Sequence, residues 1–431
     1  MATSRKRALE QIDIARQGRD LGQLSLPTSA AKPPPKLRAG SSRRAIDARC
    51  AALGLNDASL AALRHGPADA SIETYAEMVE QCIGAVQVPV GVIGPLRVRG
   101  LFAQGDYFVP LATSESALIA SYDRGAAILT AAGGAAALLL NEGVQRSPGF
   151  RFASLEEAGR FVAWAMTHFD DFAAAARATT RFGELVDMRV TVDGRFVYLA
   201  CEFRTGDAAG QNMATFATEA ICAHIRAESP VRPEAMFLEA NLSGDKKACA
   251  QSFLSVRGRK VTAEALLPRT LVERSLRTTP ERMHEYWTMS AVGGVLSGCL
   301  GIQGHFANGL AALALACGQD VACVAESAVG TTRMEVDASG GLAVCVTLPN
   351  LMFGTVGGGT SLPSADACLG ILGLRGTGKA RAFCEVAAAL LLAGEISIVG
   401  ALCADEFARA HRTRTRGRRG NDSRRTKDGS S

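Results

Sequence analysis

The chain has 431 residues, of which 48% are hydrophobic and 6% aromatic, with 45 glycines and a net charge of +5. That length allows two or three domains around a large core and excludes a peptide or a metal-stapled miniprotein. The charge sits at the ends: Met1–Arg49 carries 11 Lys/Arg against 4 Asp/Glu and Arg412–Ser431 carries 8 against 2, so the body between them is at −8. This distribution argues against a nucleic-acid-binding core and leaves contact with polyanions to the tails. The 12 cysteines are scattered singly, with no C-x-x-C pair and no Cys/His cluster at zinc-ligand spacing. Reduced thiols in a cytoplasmic protein without a metal site are therefore expected. Met1–Lys36 has no apolar run of the kind a secretory signal needs, and Glu10, Asp13 and Asp20 oppose a transit-peptide reading.

In chain order, Thr28–Ser42 holds Pro33, Pro34 and Pro35 among small and polar residues and reads as a linker. Ala45–Cys82 is helical in pattern, whereas Pro89 and Pro95 make Val86–Gly100 extended. Ser114–Asn141 is an Ala/Leu-rich stretch read as one long buried helix, packed closely at Gly133 and Gly134. Phe150–Ile225 changes character and reads as an inserted α+β unit. It holds a helical run, Leu155–Arg177, then two β-rich runs in Asp187–Phe203 joined at Asp193-Gly194, a strong hairpin signal. The polar turn Thr205–Met213 then opens a helix, a natural seat for an anion. Further on, Met283–Leu296 is helical, Ala343–Thr360 is a strand running into the glycine-rich turn GTVGGGT, and Ala380–Ala410 is helical before a disordered tail. Val386–Ala404 is apolar enough for a membrane span, but Glu395 at its middle costs about 2.5 to 3.5 kcal/mol on insertion scales. A buried helix of a soluble domain is the expectation.

Two stretches bear chemistry. Gly373–Ala380 spells GLRGTGKA, which fits the first seven positions of the phosphate-binding loop of nucleotide hydrolases; Ala380 stands where a magnesium-holding hydroxyl belongs, and no convincing strand precedes it. In EANLSGDKKACAQSF, Glu239–Phe253, Asp245, Lys246 and Lys247 set two ammonium groups beside a carboxylate between small and apolar flanks. Taken alone this is a solvated turn; partly desolvated, it would polarise a carbonyl oxygen.

Its company is informative. PLATSESALIAS places Glu115 at the start of a helical run, ACGQD ends in Asp320 and FARAH ends in His411. Together with VPVGVIGPL, TGDAAGQNM and GTVGGGT, and in this order, these motifs resemble the 3-hydroxy-3-methylglutaryl-CoA (HMG-CoA) reductases over about residues 75 to 411. The resemblance is to the soluble portion of the class I, eukaryotic and archaeal, enzymes, without a membrane anchor.

The resemblance implies reduction of (S)-HMG-CoA to mevalonate and CoA by two NADPH, through a hemithioacetal and mevaldehyde, in the mevalonate pathway of isoprenoid biosynthesis. Lys246 would stabilise the oxyanion. His411 would protonate the departing CoA thiolate. Glu115, its pKa raised by burial, would donate a proton to the aldehyde oxygen, and Asp320 would hold Lys246 and Glu115 in one cluster. Arg146, Asp245, Lys247 and Asn308 would hold the hydroxymethylglutaryl group, with Ser121, Arg124 and His305 along the CoA path. For the cofactor, Thr180, Arg181 and Phe182 would lie near the adenosine phosphate. Asp207, Gly210, Gln211, Asn212 and Met213 would form the dinucleotide turn, and Val356, Gly357 and Gly358 would allow close backbone approach. Arg181 favours NADPH over NADH, because a fork of donors suits a 2′-phosphate.

The fold it implies is α+β: a large helical domain with a central helix, plus an inserted ferredoxin-like dinucleotide-binding domain. The expected layout is a disordered basic arm and linker over 1–44 and a helical segment over 45–79. The large domain spans 80–146 and 250–385, with the inserted NADP-binding domain at 147–237. A linking loop over 238–249 carries Lys246 and a cis peptide at Ser243-Gly244. A C-terminal helical region over 386–411 carries His411, and a disordered tail spans 412–431. A homodimer is the expected minimum and a tetramer stays open, since in this family Glu115 and the lysine meet across a subunit interface.

Departures from the family pattern are Glu239 in place of a serine, Ala127 in place of a basic residue, a substrate lysine missing around Trp287–Ala291, and Gly417 in place of a regulatory serine. They leave a catalytically impaired CoA-binding homologue as a second reading, with the nucleotide hydrolase a distant third.

Overall fold

The structure, a computed structural model, describes residues 5–16, 42–65, 72–254 and 257–405; His411, most of the linker and the C-terminal tail lie outside them. The chain begins with α1 (Arg5–Arg16), α2 (Arg43–Ala52), α3 (Asp57–His65) and α4 (Ile72–Ala76). The extended stretch with its two prolines becomes β1 (Val90–Gly100), which turns back as β2 (Gln104–Ala112). Next come α5 (Leu118–Ala131), β3 (Ala135–Arg146) and β4 (Gly149–Arg151), then α6 (Leu155–Thr167), α7 (Phe169–Arg177), β5 (Glu184–Asp193), β6 (Phe196–Arg204), α8 (Gln211–Glu228) and β7 (Ala235–Phe237). The remainder is α9 (Gln251–Leu254), β8 (Gly258–Leu267), α10 (Arg269–Leu276), α11 (Pro280–Ser297), β9 (Gly301–Ile302), α12 (Phe306–Ala316), α13 (Val324–Ser327), β10 (Gly330–Val336), β11 (Leu342–Leu351), α14 (Pro363–Leu372) and α15 (Ala380–Cys403).

Two apolar cores organise these elements. One gathers β1, β2, β3, β8, β10 and β11 around α5, α12 and the largely apolar α15. The other holds Phe150, Phe161, Phe172, Leu199, Phe203 and Ile221 from the inserted unit. In that unit β4, β5, β6 and β7 pair antiparallel in the order β7-β4-β6-β5, with α6 and α7 between the first two strands and α8 between the last two. That is the β-α-β-β-α-β arrangement of ferredoxin-like folds. A single strand joins the two halves. Ala135–Ala137 of β3 run parallel to β1, Ala136–Gly143 run antiparallel to β8, and Val144–Arg146 pair with β6 of the inserted unit.

The expected helix over Ser114–Asn141 is half helix and half strand. α5 stops at Ala131, and Gly133 and Gly134 take φ of +99° and +100°, a region that side chains rarely tolerate. A Cβ on Gly134 would also lie 2.6 Å from the Arg97 side chain. The following Ala-Ala-Ala-Leu-Leu-Leu then enters the sheet, because pairing with β1 and β8 outweighs its helical propensity.

Residues 5–16, expected within a disordered arm, form α1, tied to the sheet by an Arg7–Glu202 ion pair, Glu10–Arg204 at 2.8 Å and Gln11–Glu142 at 3.3 Å. The helical run Leu155–Arg177 breaks in two at His168.

α15 is long and apolar enough to cross a membrane, but 89% of its most apolar window is buried inside this fold. Its two carboxylates explain how it tolerates the interior. Glu385 accepts the N–H groups of Leu101, Phe102 and Ala103 at 3.1, 2.8 and 2.7 Å, and Glu395 accepts those of Gly304 and His305 and the Thr332 hydroxyl. Burial pushes Glu385 up to about 7, against the pull of those amides. α5 crosses α15 at backbone contact: a Cβ on Gly125 would lie 1.9 Å from the Ala393 carbonyl oxygen. Gly125→Ala must part the two helices and is expected to lower stability by about 3 kcal/mol, read as a lower urea midpoint with an unchanged m-value.

Candidate active site

Lys246 lies in the connection between β7 and α9, with its backbone in the left-handed region at φ +54°. Its ammonium is 2.6 Å from Asp320 Oδ2, and its backbone N–H donates to Glu326 Oε1 at 3.3 Å. Asp320 follows α12, and its other oxygen accepts the Ala322 N–H at 3.0 Å, which fixes the carboxylate as a cap. The Asp320 bond raises the pKa of Lys246 and outweighs the effect of burial. Burial pushes Asp320 up, but the Lys246 ammonium more than offsets it, so its pKa lies below the ordinary carboxylate value. The pair is therefore charged at neutral pH and half open to solvent. The peptide expected to be cis at Ser243-Gly244 is trans; the chain turns there because Gly244 adopts φ +72°.

Behind the lysine is a second ion cluster. Asp245 accepts Arg146 at 2.6 Å on one oxygen and pairs with Arg257 through the other. Burial raises its pKa, yet the two guanidinium groups hold it below normal. Arg146, at the end of β3, also donates to Thr215 Oγ1 at 2.9 Å and lies 3.8 Å from Glu239. Glu239 is held by the N–H groups of Ser147 and Asn241, so a second carboxylate of the protein faces the arginine expected to bind a substrate carboxylate. Lys247 bends back to the Asp245 carbonyl at 2.8 Å. Arg257 and Glu326 were not singled out from the sequence: Arg257 sits in an ordinary basic run, and nothing local signals that either is buried.

The predicted dinucleotide segments converge. The Thr355 N–H donates to the Asp207 carbonyl at 2.9 Å, joining the turn before α8 to the glycine-rich turn after β11. Thr180 Oγ1 accepts the N–H groups of Phe182 and Gly183, and Met213 packs against that turn, within 2.9 Å of where a Gly183 Cβ would sit. Arg181, Phe182 and Asn212 are exposed, and the space beside Gly357 and Gly358 is open. Gly210 begins α8 in the left-handed region.

Two members do other work. Gln211 reaches Asp320 at 3.3 Å and Arg257 at 3.4 Å, tying the turn to the Lys246 pair. The Asp207 carboxylate caps α15 through the N–H groups of Gly378 and Ala380, at 2.7 and 3.1 Å. That cap fills the place a phosphate would take in GLRGTGKA, and helix α14 precedes the stretch instead of a strand. The nucleotide-hydrolase reading is overturned on both counts.

A third group forms at the other end of α12. Asn308 donates to Glu115 Oε2 at 2.7 Å, beside a cleft of about 620 Å³ lined by Val86–Pro89, Thr113, Leu118 and Leu315. Nearby, Ser121 and Arg124 bond Ser397, and His305 packs on the Tyr122 ring at 5.0 Å. Asn308 is near the start of α12 and Asp320 lies beyond its end, a separation on the order of 15 Å at helical rise. Within one chain, Asn308 is therefore with Glu115 and not with Arg146 and Asp245. Glu115 is exposed here, so one chain does not supply the burial expected of it.

A family model described as hydroxymethylglutaryl-coenzyme A reductase matches residues 42–416. The chain belongs to that family. The 3-hydroxy-3-methylglutaryl-coenzyme A reductase of Methanothermobacter thermautotrophicus is 42% identical over 341 residues, 79% of this chain and 85% of the relative. That of Haloferax volcanii is 43% identical over 345 residues, again 79% and 85%, and reductase 1 of Oryza sativa subsp. indica is 34% identical over 352 residues, 78% of this chain and 64% of the relative. In fold, the chain is similar to the class II reductase of Streptococcus pneumoniae solved with NADPH in open conformations, with a TM-score of 0.66 at 18% identity, covering 84% of this chain and 87% of that one. Within this reductase fold Lys246 owes its raised pKa chiefly to Asp320, with Cys323 and Asp245 adding to it. Asp320→Asn should lower the Lys246 pKa, seen as a downward shift in the NMR titration of its ε-methylene protons; an unmoved titration would remove the pair from the account.

Proposed function

We propose that Lys246, held by Asp320, is the electrophilic group of an NADPH-dependent HMG-CoA reductase, and that a second copy of the chain brings Glu115 to it. As a member of its family the chain is an oxidoreductase that converts HMG-CoA to mevalonate and CoA in isoprenoid biosynthesis. The observation that carries the assignment is the Lys246–Asp320 pair at 2.6 Å beside the converged dinucleotide turns.

Those turns suit the cofactor: they offer open backbone at Gly357 and Gly358 and an exposed Arg181 for the 2′-phosphate. When bound, NADPH supplies a hydride to the thioester carbonyl carbon and, from a second molecule, a hydride to the aldehyde carbon. The residues of the chain manage charge and protons. The Lys246 ammonium faces the oxyanion as it forms, where a fixed cation is worth most. Arg146 holds the substrate carboxylate, with Glu239 competing for the same guanidinium. Glu115, buried once a partner covers it, protonates the oxygen after the second hydride. His411 protonates the departing CoA thiolate.

The dimer is supported by the placement of Glu115 and Lys246 at opposite ends of α12, and by an exposed apolar stripe on α11 formed by Met289, Val292, Val295 and Leu296. A soluble enzyme is supported by the burial of α15 inside this fold. The reading as an impaired homologue finds no support: the Lys246–Asp320 and Glu115–Asn308 pairs are both formed.

Oxidation of NADPH should depend on added HMG-CoA, with two NADPH consumed per CoA released; no oxidation at high enzyme concentration would sink the assignment. NADPH should be preferred over NADH, and Arg181→Ala should narrow that preference about tenfold or more, the worth of one charge-assisted contact. An unchanged ratio would take Arg181 out of the cofactor site.

A further inference from the structure

Two buried side chains near Lys246 have no part in the chemistry above. Glu326, in α13, has a side chain 1% exposed, and Arg257, at the entry to β8, has one 2% exposed. Their charged atoms approach to 2.9 Å between Arg257 Nε and Glu326 Oε2. From this buried pair two contacts reach forward into one loop: Glu326 Oε1 accepts the Lys246 N–H at 3.3 Å, and Arg257 pairs with the Asp245 carboxylate. The segment from Asp320 to Glu326 thus grips Lys246 twice, at its ammonium and at its amide. The amide grip bears on the chemistry, because Lys246 sits at φ +54°, a conformation that costs a lysine on the order of 1 kcal/mol and needs its surroundings to hold it.

We infer that Glu326, ionised and braced by Arg257, is a positioning residue that keeps Lys246 in its left-handed conformation and so aims the ammonium at the substrate oxygen. The inference rests on the reductase reading above and deepens it. A carboxylate accepts an amide proton about twice as strongly as a neutral oxygen does. Protonation of Glu326 therefore loosens the Lys246 amide and leaves Arg257 with Asp245 as its remaining acidic partner. The charged and titratable groups around Glu326 are Arg257 from β8, Asp245 and Lys246 from the loop, and Cys323 from the 3-10 turn before α13. Burial outweighs the Arg257 charge and pushes the Glu326 carboxyl up to about 7, so the brace switches on as pH rises through neutrality.

The test compares Glu326→Gln with the parent enzyme in NADPH-dependent reduction of HMG-CoA from about pH 6 to pH 8.5, a range that brackets the titration. Glutamine keeps an acceptor for the Lys246 amide and fixes it in the neutral state. The variant's kcat should match the parent's at the acid end and fall about tenfold behind at the alkaline end, the usual scale for a supporting residue, with KM for NADPH unchanged. Glu326→Ala, where it folds, should be slow across the whole range. A ratio of kcat values that is constant with pH, or within twofold of one throughout, would overturn the inference and leave Glu326 as packing. If the parent enzyme itself fails to turn over HMG-CoA, the reductase reading falls, which is a separate result from a pH-independent ratio in an active parent.

Discussion

Burying two carboxylates on an otherwise apolar helix is the constraint from which the rest of the large core follows. An ionised acid inside a protein is tolerable only when donors surround it, so Glu385 and Glu395 of α15 must each collect loop amides. Glu385 takes those of residues 101–103 and thereby fixes the turn between β1 and β2; Glu395 takes those of residues 304 and 305 and fixes the entry to α12. The N-terminus of the same helix is capped by Asp207 from the dinucleotide turn. One buried helix therefore sets three loops, and these place Glu115 and Asn308 on one side and the cofactor turns on the other.

Around Lys246, opposite charges alternate. Lys246, Arg146 and Arg257 are interleaved with Asp320, Asp245, Glu326 and Glu239, and Asp320 and Glu239 are locked by backbone amides as well. Such a lattice keeps the ammonium charged and pointed, since moving it would strand a carboxylate in a partly desolvated place. Glu239 is the unusual member. It stands 3.8 Å from the guanidinium proposed for the substrate carboxylate, where it would compete for the same donor.

Much of this was legible in the residues. The Asp193-Gly194 hairpin, the helix after Thr205–Met213 and the burial of α15 followed from turn chemistry and from one misplaced glutamate. The ordered motifs placed Lys246 with Asp320. What the sequence hid was hidden for physical reasons. Ala135–Leu140 has helical composition, and only two neighbouring strands make it a strand. Arg257 and Glu326 look like surface charges in a one-dimensional reading, because their burial arises from long-range packing. Gln211 and Asp207 were assigned to the cofactor by the family resemblance, and the contacts their side chains make with Asp320, Arg257 and the start of α15 had no signal in the sequence.

Since β3 belongs to both sheets, the ferredoxin-like unit is not hung on a free tether. Any swing of that unit bends a continuous strand, and the residue at the far end of the bend is Arg146. Movement of the inserted unit and displacement of the Arg146–Asp245 pair are therefore one mechanical event.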